Sequence, residues 1–270
     1  MTRRSRRTIA IVGGLVILLA AVAVVAYLAG RTNDPLAAPK RPSSPTTSMA
    51  PGQSSTQSSP SSSATGAPNG LASGAVTAGR GGSTKGPTDL PLGYAHTKDG
   101  AAAAATNYLM WMDSIKIAKK SAADAMAAAT AADQQTRTSL VQSFDEVRSG
   151  MDGLTDDQLE PARGAYAMAR YSPDSATVYV WAPEVATDKT GDTQHLWGID
   201  AINVVWANGD WKLNHELIGR TGGAAVDPKD PTGNPAAFEK RSILMRTPAD
   251  PGEIADSADQ AWFEYANATH

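Results

Sequence analysis

The chain has 270 residues and no cysteine, which excludes disulfides, thiolate metal sites and an acylated-cysteine anchor. Its formal net charge of −3 is split: residues 1–90 hold nine Lys/Arg against two Asp/Glu, and residues 91–270 hold fifteen against twenty-five. So acidic a C-terminal body repels phosphate backbones, and nucleic acid is not an expected partner.

Residues 1–8 form a basic tail with Arg3, Arg4, Arg6 and Arg7. Residues 9–29 follow as an uncharged apolar run, IAIVGGLVILLAAVAVVAYLA. A helix of about 20 residues spans the roughly 30 Å hydrocarbon core, so this run is expected to cross a membrane once. The arginines orient it with the N-terminus in the cytoplasm and everything after Arg31 outside. A cleaved signal peptide has the same basic start, but its apolar core is usually about 7–15 residues. The longer run here favours a retained anchor in the cell membrane. Ala10 and Gly14 make a small-xxx-small pair that permits helix pairing and hence a homo-oligomer, although plain alanine-rich composition also produces it.

Residues 30–90 are rich in Ser, Thr, Pro, Gly and Ala. With so few large apolar side chains, the whole stretch is expected to be a disordered linker, a spacer open to O-glycosylation.

Helical signals begin at Thr97, a cap for KDGAAAAATNYLMWMDSIKIAKK. In it Ala101, Ala105, Tyr108, Met112, Ile115 and Lys119 recur at three- and four-residue steps. Ser121 and Asp124 suggest a capping box for a second helix ending near Ala132. Asp133 caps a third, with Leu140, Val141, Phe144 and Val147 as its stripe and Gly150 as its stop. Thr155 with two following aspartates predicts one more helical turn before Pro161.

After Pro161 the pattern becomes extended. Strands are expected over 165–171, 177–182, 194–207 and 210–217, each rich in Val, Ile, Tyr, Trp or Thr. Asn208-Gly209 predicts a type I′ hairpin turn. The 194–207 strand lacks clean alternation, so either a bulge near Gly198 or burial on both faces is expected. Residues 91–220 thus form the α+β body and 221–270 a C-terminal extension that packs on it. Trp262, Phe263 and Tyr265 are expected to anchor a short last helix. Asn267-Ala268-Thr269 matches a glycosylation sequon, with chance the simpler reading so near the end.

GYAHTKDGAAAAATNY at 93–108 and NVVWANGDWKL at 203–213 resemble exported actinobacterial proteins, some found with conjugation and type IV secretion machinery. Helices followed by a meander of long strands resemble the cystatin-like cone of nuclear-transport-factor-two-like domains. The resemblance implies helices packed on a curved antiparallel sheet. It also implies a scaffold or assembly subunit that contacts other envelope proteins. Two alternatives share the fold: a ligand- or lipid-binding accessory of an envelope transport complex, and a small-molecule isomerase or cyclase.

For an enzyme on this fold, the candidates are Tyr108, His195, Asp200 and His215, since a carboxylate in an apolar pocket can serve as a base. No motif fixes the geometry such a pair needs, so solvated strand residues are the simpler expectation. The four histidines have no metal-ligand spacing and no phosphate-binding glycine loop precedes a helix, so neither metal nor cofactor is expected. Candidate pocket or interface residues are therefore Tyr108, Trp111, Trp181, Trp197, Asp200 and His215. A tryptophan left exposed would be a partner anchor.

Overall fold

The structure, a computed structural model, describes residues 70–215, 220–222, 235, 239–240, 243–244 and 262–269. The apolar run at 9–29, its arginines and residues 30–69 of the expected linker lie outside the described residues. Among the described residues no helix is long and apolar enough to cross a membrane.

Three helices pack against a curved, unclosed sheet that is antiparallel at all but one pairing. The chain enters through β1 (Ala72–Ser73) and a small hairpin of β2 (Thr84–Lys85) and β3 (Pro91–Leu92). Helices α1 (Lys98–Met112), α2 (Lys120–Thr130) and α3 (Gln134–Met151) follow. Then come β4 (Leu154–Leu159), β5 (Ala165–Tyr171), β6 (Ser175–Asp188), β7 (Thr193–Ala207) and β8 (Asp210–Leu213). Two short strands end the order, β9 (Arg220–Gly222) and β10 (Trp262–Glu264). The sheet runs β1-β10-β5-β6-β7-β8, with β4 also on β6 and β9 also on β7.

The linker expectation fails for its last twenty residues. Leu71, Val76, Ala78 and Leu90 are buried within the stretch read as disordered. Averaged composition conceals them because each is a lone anchor among small residues. Small size is itself needed here: a Cβ on Gly74 would sit 2.0 Å from the Tyr166 hydroxyl.

Two of the side-chain caps read from sequence form. Thr97 accepts from the Gly100 amide at 3.0 Å and Asp133 from the Thr136 amide at 2.7 Å. Helix α1 does not continue to Lys119, however. It stops at Met112, and residues 115–118 form a separate 3-10 turn. Ser114 turns the chain by donating to the Trp111 carbonyl and bridging to Gln158 of β4. The Ser121 capping box is absent too. Helix α2 starts at Lys120 without a side-chain cap, and Asp124 pairs with Lys120 instead. The helical turn expected at Thr155 is strand β4, drawn into extended form by the far half of β6.

Strand β6 passes through Pro183, where the sequence reading ended it. Pro183 falls in the gap between β5, whose pairing ends at Trp181, and β4, whose pairing begins at Glu184. No ladder bond is asked of the missing N–H there. Strands β6 and β7 pair without interruption from Ser175↔Val205 to Thr187↔Thr193, so no bulge occurs at Gly198. Burial on both faces explains the lost alternation. Val178, Val180, Ile202 and Val204 join the helix-side core, whereas Tyr179, Trp181, Trp197, Ile199 and Ala201 form a second core with Leu71, Leu244 and Trp262.

The last aromatic run is a strand, not a helix. Residues Trp262–Glu264 lie parallel to β1 and antiparallel to β5. Alternation gives Trp262 to the second core and Phe263 and Tyr265 to the first. Asn267, the sequon residue, spends its amide on both backbone atoms of Ala78.

The β7–β8 turn has φ of 56° at Asn208 and 78° at Gly209, the left-handed pair expected of a type I′ turn. A Cβ on Gly209 would meet nothing within 4 Å, so only backbone conformation resists substitution. Gly209→Val is therefore expected to lower stability by about 1–3 kcal/mol, the range for such strain. Urea melts check it, and an unchanged midpoint would disprove the turn.

Candidate functional site: an aromatic corner at the hairpin tip

The two sequence runs that carry the resemblance meet in space. Gly93–His96, the loop before α1, closes over the tip of the β7–β8 hairpin. The Asp210 carboxylate accepts from the Gly93 amide at 3.0 Å, the Tyr94 amide at 2.8 Å and its neighbouring Trp211 amide at 2.9 Å. Lys212 adds an ion pair at 3.0 Å and donates also to the Ala129 carbonyl. The buried carboxylate is thus held by four donors. Trp211 donates its Nε1–H to the Ala95 carbonyl at 3.0 Å, and Tyr108 donates its hydroxyl to the Trp211 carbonyl at 2.7 Å.

This joint carries an aromatic surface. The His96 ring stacks on Trp206 with centroids 3.9 Å apart and planes 8° from parallel. Its Nε2 lies 2.5 Å from the Pro173 carbonyl in the β5–β6 turn, whose Asp174 carbonyl accepts from the Trp206 amide at 2.9 Å. Trp206 meets Trp211 edge-on at 5.6 Å, and Tyr171 lies 6.3 Å from Trp211 on the other side. Tyr171 is 42% exposed, the one exposed large hydrophobic residue among those described. Of the six tryptophans, Trp206 alone is half-buried rather than buried. Rings fixed by backbone contacts from three directions, with an imidazole face and a phenol open to solvent, suit partner recognition. Such groups add contact area at little entropic cost.

The sequence-derived candidates divide among separate places. Tyr108 and Trp111 are helix-side core. Trp111 also donates to the Thr88 hydroxyl at 2.5 Å, steadying a turn where Thr88 and Asp89 hold φ of 54° and 64°. Burial, with the Asp210 carboxylate next in effect, pushes the Tyr108 hydroxyl far above the ordinary tyrosine value. That removes it as an acid near neutral pH. Trp181 and Trp197 lie in the second core with centroids 4.7 Å apart and planes tilted by 38°. Asp200 is buried rather than solvated. It stands opposite Val180, which places it on the helix face. His215 is exposed, close enough to Asp133 to help hold that carboxyl below its usual range, after the hydrogen bonds from Thr136.

His195 lies at the opposite end of β7 from the hairpin. Its Nδ1 is 3.2 Å from the Arg163 guanidinium, which also pairs with Glu160 at 2.8 Å and lies over the Trp197 ring at 5.6 Å. Burial and then the Arg163 charge hold His195 below the usual histidine value, with Glu160 opposing.

Sequence reading placed the hairpin but missed His96, Tyr171 and Trp206 as a group. Tyr171 closes a strand and His96 lies in the loop before α1, so only tertiary contact joins them. A usable signal existed in the paired run Trp206-x₄-Trp211 across an Asn-Gly turn.

A family model described as a domain of unknown function (DUF8175) matches residues 31–229. No curated protein and no solved structure matches the chain.

Proposed function

The chain belongs to the DUF8175 family of domains, and from its own architecture we propose that it is a non-catalytic, membrane-anchored scaffold or assembly subunit displayed outside the cell membrane. Its body binds other envelope proteins through the corner formed by His96, Tyr171 and Trp206. The observation that carries this reading is that corner, where solvent-facing rings are braced from beneath by Trp211 and Asp210. The order of apolar run, Ser/Thr/Pro-rich stretch and folded body supplies the anchor, the spacer and the displayed domain. The helices-then-sheet order supports a cystatin-like cone. Tyr108, Met126, Trp211 and Leu213 fill the space between helices and sheet with fully buried side chains, which favours a packed scaffold over a ligand-holding cone.

A photo-crosslinking residue placed at Tyr171 in the full chain, in its native membrane, tests the proposal. A discrete crosslink to an envelope protein is expected there and not at exposed Gln142 of α3, and Trp206→Ala should reduce it at least several-fold. Equal crosslinking at the two sites, or no effect of Trp206→Ala, would overturn the assignment.

A further inference from the structure

We propose that the slot between β1 and β5 is a strand-exchange site, in which residues 262–267 of one copy of this chain fill the slot of a second copy. This goes beyond the scaffold reading by naming one partner, the chain itself, at a site distinct from the aromatic corner.

The occupant of the slot is defined by short-range contacts. Glu264 accepts at its carbonyl from the Gly74 amide at 2.8 Å, and the Ala266 amide donates to the Val76 carbonyl at 2.7 Å. Asn267 accepts at its side-chain oxygen from the Ala78 amide at 3.0 Å. Trp262 and Phe263 pair with Ala167 and Tyr166 of β5. Tyr265 is wholly buried, its hydroxyl 3.1 Å from that of Thr106 on α1. Every one of these contacts is the same whichever copy supplies the strand, the condition for exchange between protomers.

The strand is also joined to the rest of its own copy by a long stretch of sequence. Seventeen residues separate Leu244 from Trp262. At about 3.3–3.6 Å per residue they reach roughly 55–60 Å, more than the roughly 40 Å diameter of a body of this size. That reach lets the strand meet the slot of a second copy.

A buried ion pair sets what can enter. Lys240 has 0% side-chain exposure and its Nζ lies 2.9 Å from Glu264 Oε1. Lys240 precedes the seventeen-residue connection and stays with the receiving body, whereas Glu264 travels with the strand. Removing the strand deprives a buried ammonium of that carboxylate, which is strongly unfavourable. The slot thus selects an extended segment with an acid between aromatic residues, the pattern Trp262-Phe263-Glu264-Tyr265. A second copy of this chain carries it. Copies tethered to one membrane meet at high local concentration, a point that rests on the anchor reading.

The absence of cysteine makes the test direct. Ala72 and Phe263 are register partners across β1 and β10. Full-length Ala72→Cys chain is mixed with full-length Phe263→Cys chain in detergent micelles and oxidised. A mixed disulfide dimer is expected, increasing with protein concentration. It should fall about tenfold or more when the second chain also carries Glu264→Gln, given the cost of an unpaired buried charge. Only random homodimers, while a chain with both cysteines closes its own disulfide, would overturn the proposal. Failure of the double-cysteine chain to form any disulfide, within one chain or between two, would refute the β1–β10 register and overturn it too. If the cysteine chains do not fold, light scattering on the parent decides: a dimer whose share rises when residues are deleted from the 245–261 connection, so that a strand reaches its own slot less easily, supports exchange, and a monomer at every concentration refutes it. Trp206→Ala should leave the mixed dimer unchanged, which separates this result from the fate of the aromatic corner.

Discussion

Raising the pH from 10 to 12 is expected to unfold the domain. Tyr94, Tyr108 and Tyr265 are buried, and burial is the main cause that pushes each hydroxyl above its ordinary value. Near Tyr94 the Asn107 hydrogen bond opposes the rise and the Asp210 charge adds to it, whereas near Tyr265 the Thr106 hydrogen bond opposes it. A group whose folded value is raised keeps its full stabilising effect below the unfolded value, here about 10. That effect is lost as pH rises toward the folded value, because the unfolded chain alone releases the proton. Each tyrosine then removes about 1.4 kcal/mol per pH unit, so three remove about 4 kcal/mol per unit. Two units remove about 8 kcal/mol, enough to unfold a domain in the lower half of the ordinary range of about 5–15 kcal/mol. The tyrosinate absorbance contributed by these three residues should appear together with the loss of circular dichroism in one cooperative step. Ionisation of all the chain's tyrosines near pH 10 with the dichroism intact would show that these hydroxyls are accessible.

Trp211→Ala is expected to cost about 3–5 kcal/mol, the usual range for large aromatic truncations in cores. The ring is fully buried in the helix-side core and supports Trp206, Tyr171 and His96. Its Nε1–H also satisfies the Ala95 carbonyl, so the truncation loosens the loop that Asp210 holds from the other side. Half-buried Trp206 loses less surface on truncation, and Trp206→Ala should cost well under half as much. Denaturant melts of both variants decide it. Equal midpoints for Trp211→Ala and the parent would mean that the hairpin does not belong to the core.

Local chemistry made part of this fold legible. The Asn208-Gly209 turn, the Thr97 and Asp133 caps and the bounds of β5 all formed where the sequence placed them. The turn and the caps depend on residues a few positions apart, and β5 lies one short turn from its partner β6. The alternation lost in β7 was legible as a choice between a bulge and two-sided burial. Only the second core, built on Trp181, Trp197 and Trp262, decided between them.

Most of what failed depended on a partner far along the chain, the Ser121 box, replaced by the local Lys120–Asp124 pair, being the exception. β4 looked helical because two aspartates after Thr155 suit a helix start, yet the extended half of β6 offered a ladder that a helical turn could not match. β1 and β10 were read as linker and helix because three residues cannot announce a strand. Their pairing brings residues about 190 positions apart into register. The aromatic corner has the same character. Sequence by itself determined the turn residues, the caps, the charge division and the absence of disulfide chemistry, since these are properties of residue type and near neighbours. Tertiary structure alone decided which rings face solvent and which strand lies between β1 and β5, because burial and pairing are set by whatever the rest of the chain leaves uncovered.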